Sequence, residues 1–275
     1  MIHKQDDNTG ENSDDRFGSR EEFFKYYAEQ STTPETVQRF AAIQDMVSRT
    51  ARARGLTQPS LNVLDIGCGA GTQSMMWARD GHCVSGLDVN GPLVELAIQR
   101  TREAKLDIDF RIGTATELPW ADNSMDVCLV PELLEHVREW EPCVNEFTRV
   151  LKPGGVLFLS TTNTLCPIQQ EFNLPLYSWY PAFLKRRYEQ QAVTTRPELV
   201  NYAKYPAVNW FTFFGLRKVL AARGFDSFDR FDVADNAGRG FARALAFGLI
   251  RYVPLARLLA HVATPYTLLV AVKRK

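Results

Sequence analysis

The sequence predicts an α/β protein, a doubly wound and mostly parallel sheet with helices on both faces. Three observations carry that prediction. Between Leu61 and Thr161, short β-branched and aliphatic runs alternate with apolar-periodic segments of helical spacing, the pattern of strands joined by crossover helices. One run, Asn62-Val63-Leu64-Asp65-Ile66, leads into Gly67-Cys68-Gly69-Ala70-Gly71-Thr72, a tight glycine turn ahead of a helical segment. An acid, Asp88, closes the next run, about 20 residues beyond the loop.

Taken in order, residues 1–18 are acidic and rich in Asn, Asp and Gly, a composition that reads as a disordered tail. A short helix over Glu21–Glu29 precedes a longer one that Thr33 caps and Pro34 opens. The longer helix runs to about Ala53, with Val37, Phe40, Ala41, Ile43, Gln44 and Val47 near one face. Strand and helix then alternate through Asn62–Ile66, Thr72–Asp80, Cys83–Asp88, Leu93–Ala104, Ile108–Ile112, Met125–Val130, Cys143–Val150 and Val156–Thr161. Leu165–Asn209 is too long for an ordinary connection. It holds Phe172, Tyr177, Trp179, Tyr180, Phe183, Tyr188, Tyr202 and Tyr205, five prolines and the basic trio Lys185-Arg186-Arg187. This stretch is either a lid over an apolar ligand or a small subdomain packing its aromatics inward. A helix over Phe213–Arg223, stopped by Gly224, completes the regular pattern before a last pair of strands.

A chain of 275 residues buries a large core, so residues 19–275 are expected to form one domain, with insertions at about 165–209 and 236–264. The apolar and charged fractions, 45% and 23%, are those of a globular protein and exclude a disordered or fibrous chain. Five scattered cysteines without C-x-x-C spacing indicate neither zinc nor a disulfide framework, and a reducing cytoplasm is the expected compartment. The start lacks a signal-peptide pattern, and no run of about 18 uncharged apolar residues predicts a transmembrane helix.

The spacing of the loop is G-x-G-x-G, with Thr72 where the dinucleotide fingerprint has its third glycine. Asp65, two residues before the first glycine, would repel a pyrophosphate settling on the helix N-terminus and attract a ligand bearing an ammonium. That disfavours a dehydrogenase and favours S-adenosylmethionine, whose second anchor would be Asp88 on the ribose hydroxyls, with Val89 beside it. Val63–Thr72 with Asp88 resembles the nucleotide site of the class I S-adenosylmethionine-dependent methyltransferases. Gly113-Thr114-Ala115-Thr116-Glu117-Leu118-Pro119-Trp120 resembles the family's adenine-bordering loop, Asp126–Val130 its fourth strand, and Leu151-Lys152-Pro153-Gly154-Gly155 the turn before its fifth. The resemblance covers about residues 60–163. It implies a Rossmann-like methyltransferase fold of seven strands, the last two being an antiparallel pair that Phe228–Val233 and Thr267–Val272 would supply. It also implies that Asp65, Gly67, Gly69, Gly71, Asp88, Val89, Thr114, Ala115 and Pro131 hold the nucleotide. Many relatives have an acid where this chain has Thr114.

The chemistry is expected in Pro131-Glu132-Leu133-Leu134-Glu135-His136-Val137, directly after the fourth strand. On a helical turn Glu132, Glu135 and His136 would share a face. This cluster, with Ser160-Thr161-Thr162-Asn163, resembles the O-methyltransferases of ubiquinone biosynthesis, which implies magnesium or manganese binding by the three residues. Two other roles stand beside it: His136 as general base toward a phenol or enol, and a substrate-orienting or structural role for all three. The expected reaction is methyl transfer to oxygen on a hydrophobic quinone, phenol or lipid-like acceptor. The rivals are a methyltransferase of a soluble small molecule or sugar and a non-catalytic S-adenosylmethionine-binding protein. Nucleic acid is not an expected partner, because no Asn-Pro-Pro-Tyr-type base-flipping motif follows the fourth strand.

Zero net charge conceals an asymmetry. The start is acidic, whereas no acid follows Asp235 and Arg239, Arg243, Arg251, Arg257, Lys273, Arg274 and Lys275 all do. On a helical wheel Arg239, Arg243, Arg257 and His261 gather on one side of Arg239–His261, opposite a broad apolar face. That pattern predicts two short helices, broken at Pro254, lying on an anionic membrane surface, with packing on the sheet or closure of a dimer as the competing reading.

Overall fold

The computed structural model describes residues 21–200, 205–234 and 241–275. Two helices open it, α1 (Glu21–Gln30) and α2 (Pro34–Ala53). There follow β1 (Asn62–Ile66), α3 (Thr72–Arg79), β2 (Cys83–Asp88), α4 (Gly91–Glu103), β3 (Ile108–Ile112), β4 (Met125–Pro131), α5 (Trp140–Val150) and β5 (Leu151–Thr162). The rest comprises α6 (Ala182–Thr194), α7 (Phe213–Ala221), β6 (Phe225–Asp229), α8 (Arg230–Val233), α9 (Phe241–Tyr252), α10 (Pro254–Val262) and β7 (Tyr266–Lys273). The seven strands form one sheet in the order β3-β2-β1-β4-β5-β7-β6, with β7 antiparallel to both neighbours and the first five parallel.

Alternation along the central strands feeds two cores. Leu64, Ile66, Cys128, Val130, Leu157 and Leu159 face α5 and α7, where Phe147, Phe213 and Leu216 are buried. Val63, Val127, Leu129, Val156 and Phe158 face α2 and α3, where Ile43, Val47 and Trp77 meet them. Because both faces are covered, the strands read as continuous apolar runs. Their carboxyl ends all open on one edge, and the crevice falls between β1 and β4, where the strand order reverses.

Several expectations change. The Thr33 cap forms as read, its Oγ1 accepting from the Thr36 amide, but α2 buries Ile43, Val47 and Ala51 while Val37 is exposed. The fifth strand begins at Leu151 rather than Val156: Met125 pairs with Leu151 and Val127 with Val156, so Lys152–Gly155 is an irregularity within the ladder instead of a preceding turn. The sixth strand is Phe225–Asp229, not Phe228–Val233. Asp229 stops it by forming a capping box with Asp232 and starting α8. The 1–18 tail, Tyr202, Arg239 and the side chain of Arg243 lie outside the described residues.

The long segment after β5 takes the inward-packing form for most of its aromatics. Tyr177 is fully buried, stacked on Phe172 at 4.0 Å and flanked by Tyr180, Tyr188 and Trp210. Lys185 of the basic trio sits 4.5 Å over the Trp210 ring and donates to the Ser178 carbonyl. Burial lowers its ammonium to about 8. Among the described aromatics of this segment, Trp179 and Phe183 are exposed.

Candidate functional site

Three successive glycines of the loop take positive φ: Gly67 at 79°, Gly69 at 49° and Gly71 at 77°. L side chains rarely adopt that backbone, so the path needs glycine. A Cβ added at Gly69 would meet nothing within 4 Å, so this face of the loop looks into open space. At Gly71 it would come within 2.8 Å of Ala97 Cβ and 2.9 Å of Phe110 Cζ. Gly67 and Gly69 therefore line the cleft, whereas Gly71 lets α3 pack against α4 and β3.

The loop stands between two adjoining cavities. One, of about 430 Å³, is lined by Asp88, Val89, Thr114, Ala115, Leu133 and His136 among others. The second, of about 540 Å³, is bordered by Arg39 and Phe40 of α2, by Pro131, and by Gln170 and Tyr266. Gly67, Gly69, Leu93, Tyr27 and Glu132 belong to both. Each is of the size of a small-molecule site.

Asp88 organises the first cavity. Its Oδ2 accepts from the Gly69 amide at 2.8 Å and its Oδ1 from the Asn90 amide at 2.8 Å, so it ties the glycine loop to the start of α4. A carboxylate has about four lone-pair sites, which leaves capacity for a diol as well. Burial raises its pKa, against the pull of those amides. Val89 next to it is exposed and apolar, a surface for a flat ring. Thr114 is exposed and bonds Thr116. These residues fit an adenosine: acceptors where ribose hydroxyls would lie, an apolar wall, and a glycine face of close approach.

Asp65 differs from expectation. It is 1% exposed, lies behind the loop and lines neither cavity. Ser74 Oγ donates to its Oδ2 at 2.6 Å, while Oδ1 has no protein partner. Burial pushes its carboxyl up to about 7 in spite of Ser74. A cation near the loop would pull that value back down, so the reading of Asp65 as an attractor is one of field, not contact.

Glu132, Glu135 and His136 do not share a face. Glu132 has φ 52° and the segment is a turn, not a helix, so the helical spacing argument fails. Glu132 pairs with Arg39 across the cleft. Glu135 is fully buried in the wall: its Oε2 accepts from Thr161 Oγ1 at 2.8 Å, and its carbonyl accepts from the amides of Val208 and Asn209. Burial holds its carboxyl well above the usual range. Among the described residues no group of three or more His, Cys, Asp or Glu is placed to hold a metal, so the expectation of magnesium on these three finds no support in the geometry. His136 lines the first cavity with a buried Nδ1 that has no partner, and burial lowers its pKa.

Two participants were not singled out from the sequence. Arg39 of α2 borders the second cavity, where helix periodicity alone marks it as surface. Glu171, in the segment after β5, is raised to about 7 by burial and by the charge of Glu132. No motif surrounds either residue.

A glycine loop at the sheet's reversal point, an acid closing the second strand and a double cleft above them are the features of a nucleotide-binding α/β domain. Residues 64–159, about a third of the chain, match the family model described as methyltransferase domain. Over 103 residues the chain is 39% identical to a ubiquinone biosynthesis O-methyltransferase of Agrobacterium fabrum, covering 38% of this chain and 41% of that protein. The namesake from Brucella ovis is 38% identical, with 38% and 42% covered. The match thus spans about two fifths of the relatives' length. An S-adenosylmethionine-dependent methyltransferase of Methanosarcina mazei superposes with a TM-score of 0.50 at 20% identity, covering 81% of this chain and 97% of that one. A Pyrococcus horikoshii protein does so at 0.54 and 16%, covering 91% and 99%. These two share the fold.

Proposed function

We propose that the chain is an S-adenosylmethionine-dependent O-methyltransferase acting on a hydrophobic acceptor of quinone, phenol or lipid-like type. The observation that carries methyl transfer is the double cleft, one cavity suited to adenosine and the other bordered by α2, Gln170 and Tyr266, with the glycine loop between. The second cavity is lined by Glu35, Arg39, Glu132 and Gln170 among others, so the hydrophobic character of the acceptor rests on the names of the matched relatives. The matched relatives, named for ubiquinone biosynthesis, support oxygen as the atom methylated.

The bound donor supplies an electrophilic methyl on a sulfonium. The residues of the chain position the partners and exclude water. Asp88, held in place by the Gly69 amide, fixes the ribose end, Val89 and Leu133 supply apolar walls, and α2 covers the second cavity through Arg39–Glu132. Positioning of this kind supplies most of the acceleration of an in-line displacement. Burial lowers the pKa of His136 and keeps its imidazole neutral near pH 7; it lines the first cavity and not the second, so it can take the proton of an acceptor hydroxyl that reaches in past the glycine loop.

Incubation of the chain with methyl-labelled donor and a lipid extract, followed by mass spectrometry, should find label as a methyl ether in the apolar fraction. His136→Ala should lower turnover by about 10²–10⁴ with S-adenosylhomocysteine binding retained. A chelator should leave the rate unchanged. Label confined to water-soluble products would replace the acceptor class, and loss on chelation with recovery on magnesium would restore the metal reading.

A further inference from the structure

Helix α10 turns its polar side inward, the reverse of an ordinary surface helix. His261 is buried, stacked on Phe213 at 5.2 Å, with Nε2 2.8 Å from Asp229 Oδ2. Arg257 Nε donates to the same oxygen at 2.8 Å, and its guanidinium also reaches Asp232. The basic side read from the helical wheel is thus, at these two positions, the anchor of the pair. What faces outward is apolar: Leu245 and Leu255 are each 65% exposed, Tyr252 80%, Leu249 56% and Leu259 59%. The two helices meet at a bend of 104°, with Pro254 opening the second, and among the described residues no single helix is long and apolar enough to cross a membrane.

Beside this face runs a groove of about 520 Å³ lined by Arg49, Arg54, Arg217, Arg251 and Arg257; Arg257 is paired with Asp229 and Asp232 and Arg49 with Asp45, so its outward charge comes chiefly from Arg54, Arg217 and Arg251. Arg251, the neighbour of exposed Tyr252, joins groove to apolar face, and Arg217 of α7 is exposed as well. Apolar side chains next to concentrated positive charge match one surface chemistry, acyl chains beneath anionic headgroups. A second copy of the chain, packed isologously, would bring a second arginine groove alongside the first, like charge against like.

We propose that the outward face of α9–α10, with the adjoining arginine groove, seats the protein peripherally on an anionic phospholipid surface. The Asn163 side chain, just past β5, donates to the carbonyls of His261 and Thr264, so the end of α10 is fastened to the cleft edge of the sheet. A bilayer under α9–α10 therefore lies on the protein's side of acceptor supply. Seating itself does not depend on methyl transfer.

The test is flotation of the full chain with vesicles of phosphatidylcholine alone or mixed with phosphatidylglycerol. Recovery should be at least about tenfold higher on the anionic vesicles and fall with salt. Arg217→Glu with Arg251→Glu should remove that preference. Leu255→Ser with Leu259→Ser should lower recovery at an unchanged Tm. Inorganic phosphate, at matched ionic strength, should not compete. Equal recovery on both vesicles, no recovery on either, or full competition by phosphate overturns the proposal. So does a dimer in sedimentation that the serine variant returns to monomer while vesicles bind nothing.

Discussion

At the scale of the residue, Asp88 has a double duty. It holds the loop through Gly69 and α4 through Asn90, and its remaining lone pairs point the ribose assignment to it. Losing a charged acceptor should cost roughly 1.5–3 kcal/mol, about ten- to a hundredfold in affinity. Calorimetry of Asp88→Ala against S-adenosylhomocysteine measures this, and unchanged binding by a folded variant would remove Asp88 from the site. The spacing of Asp88 from the loop made it legible in the sequence. Glu135 was not legible, because its role depends on the chain leaving β4 with Glu132 at positive φ, which turns Glu135 into the wall instead of the cleft. Nothing local distinguishes that turn from a helical one.

At the scale of the element, β1, β2 and β3 occupy the ranges their apolar residues predict: β1 and β2 as largely buried parallel strands bounded by glycines and acids, and β3 as a half-exposed edge strand that alternates apolar and charged residues. Sequence pattern was less able to say which side of an amphipathic pair faces in. For α10 the decision lies with Asp229, some thirty residues away, whose buried carboxylate collects His261, Arg257 and the cap of α8. Burial alone would push that carboxyl up, yet His261 and Arg257 hold it below the usual range. Its stabilising effect is therefore present above about pH 4 and lost as pH falls through the depressed value. Asp229→Ala leaves Arg257 and His261 without their common partner. It should destabilise by roughly 3–5 kcal/mol in urea unfolding, and a loss under about 1 kcal/mol would contradict the anchoring role.

At the scale of the whole molecule, the unliganded fold carries protonated carboxylates near neutral pH. Asp65 and Glu171 titrate at about 7 when folded and near 4 when unfolded. The folded state binds more protons between those values, so stability falls as pH rises through that window, by up to about 1.4 kcal/mol per pH unit and group. The lowered His82 and His136 act in the opposite sense below about pH 6.5, so a difference measurement is needed. Thermal unfolding of Asp65→Asn beside the parent should show the variant gaining relative stability from pH 5 to 7.5. A pH-independent difference would place the Asp65 carboxyl in ordinary solvent.

The strand order also bears on biosynthesis. Residues 266–273, the last strand to be made, do not extend the sheet but enter it between β5 and β6. A ribosome-bound chain therefore exposes two unpaired strand edges while everything from α1 to α10 has already been translated. Asp229 and the α10 residues that meet it all precede that strand, so the anchor can form first and hold the gap for it. For this fold, completion of the sheet waits on its seventh strand, and the nascent chain is most vulnerable to edge pairing just before that strand is made.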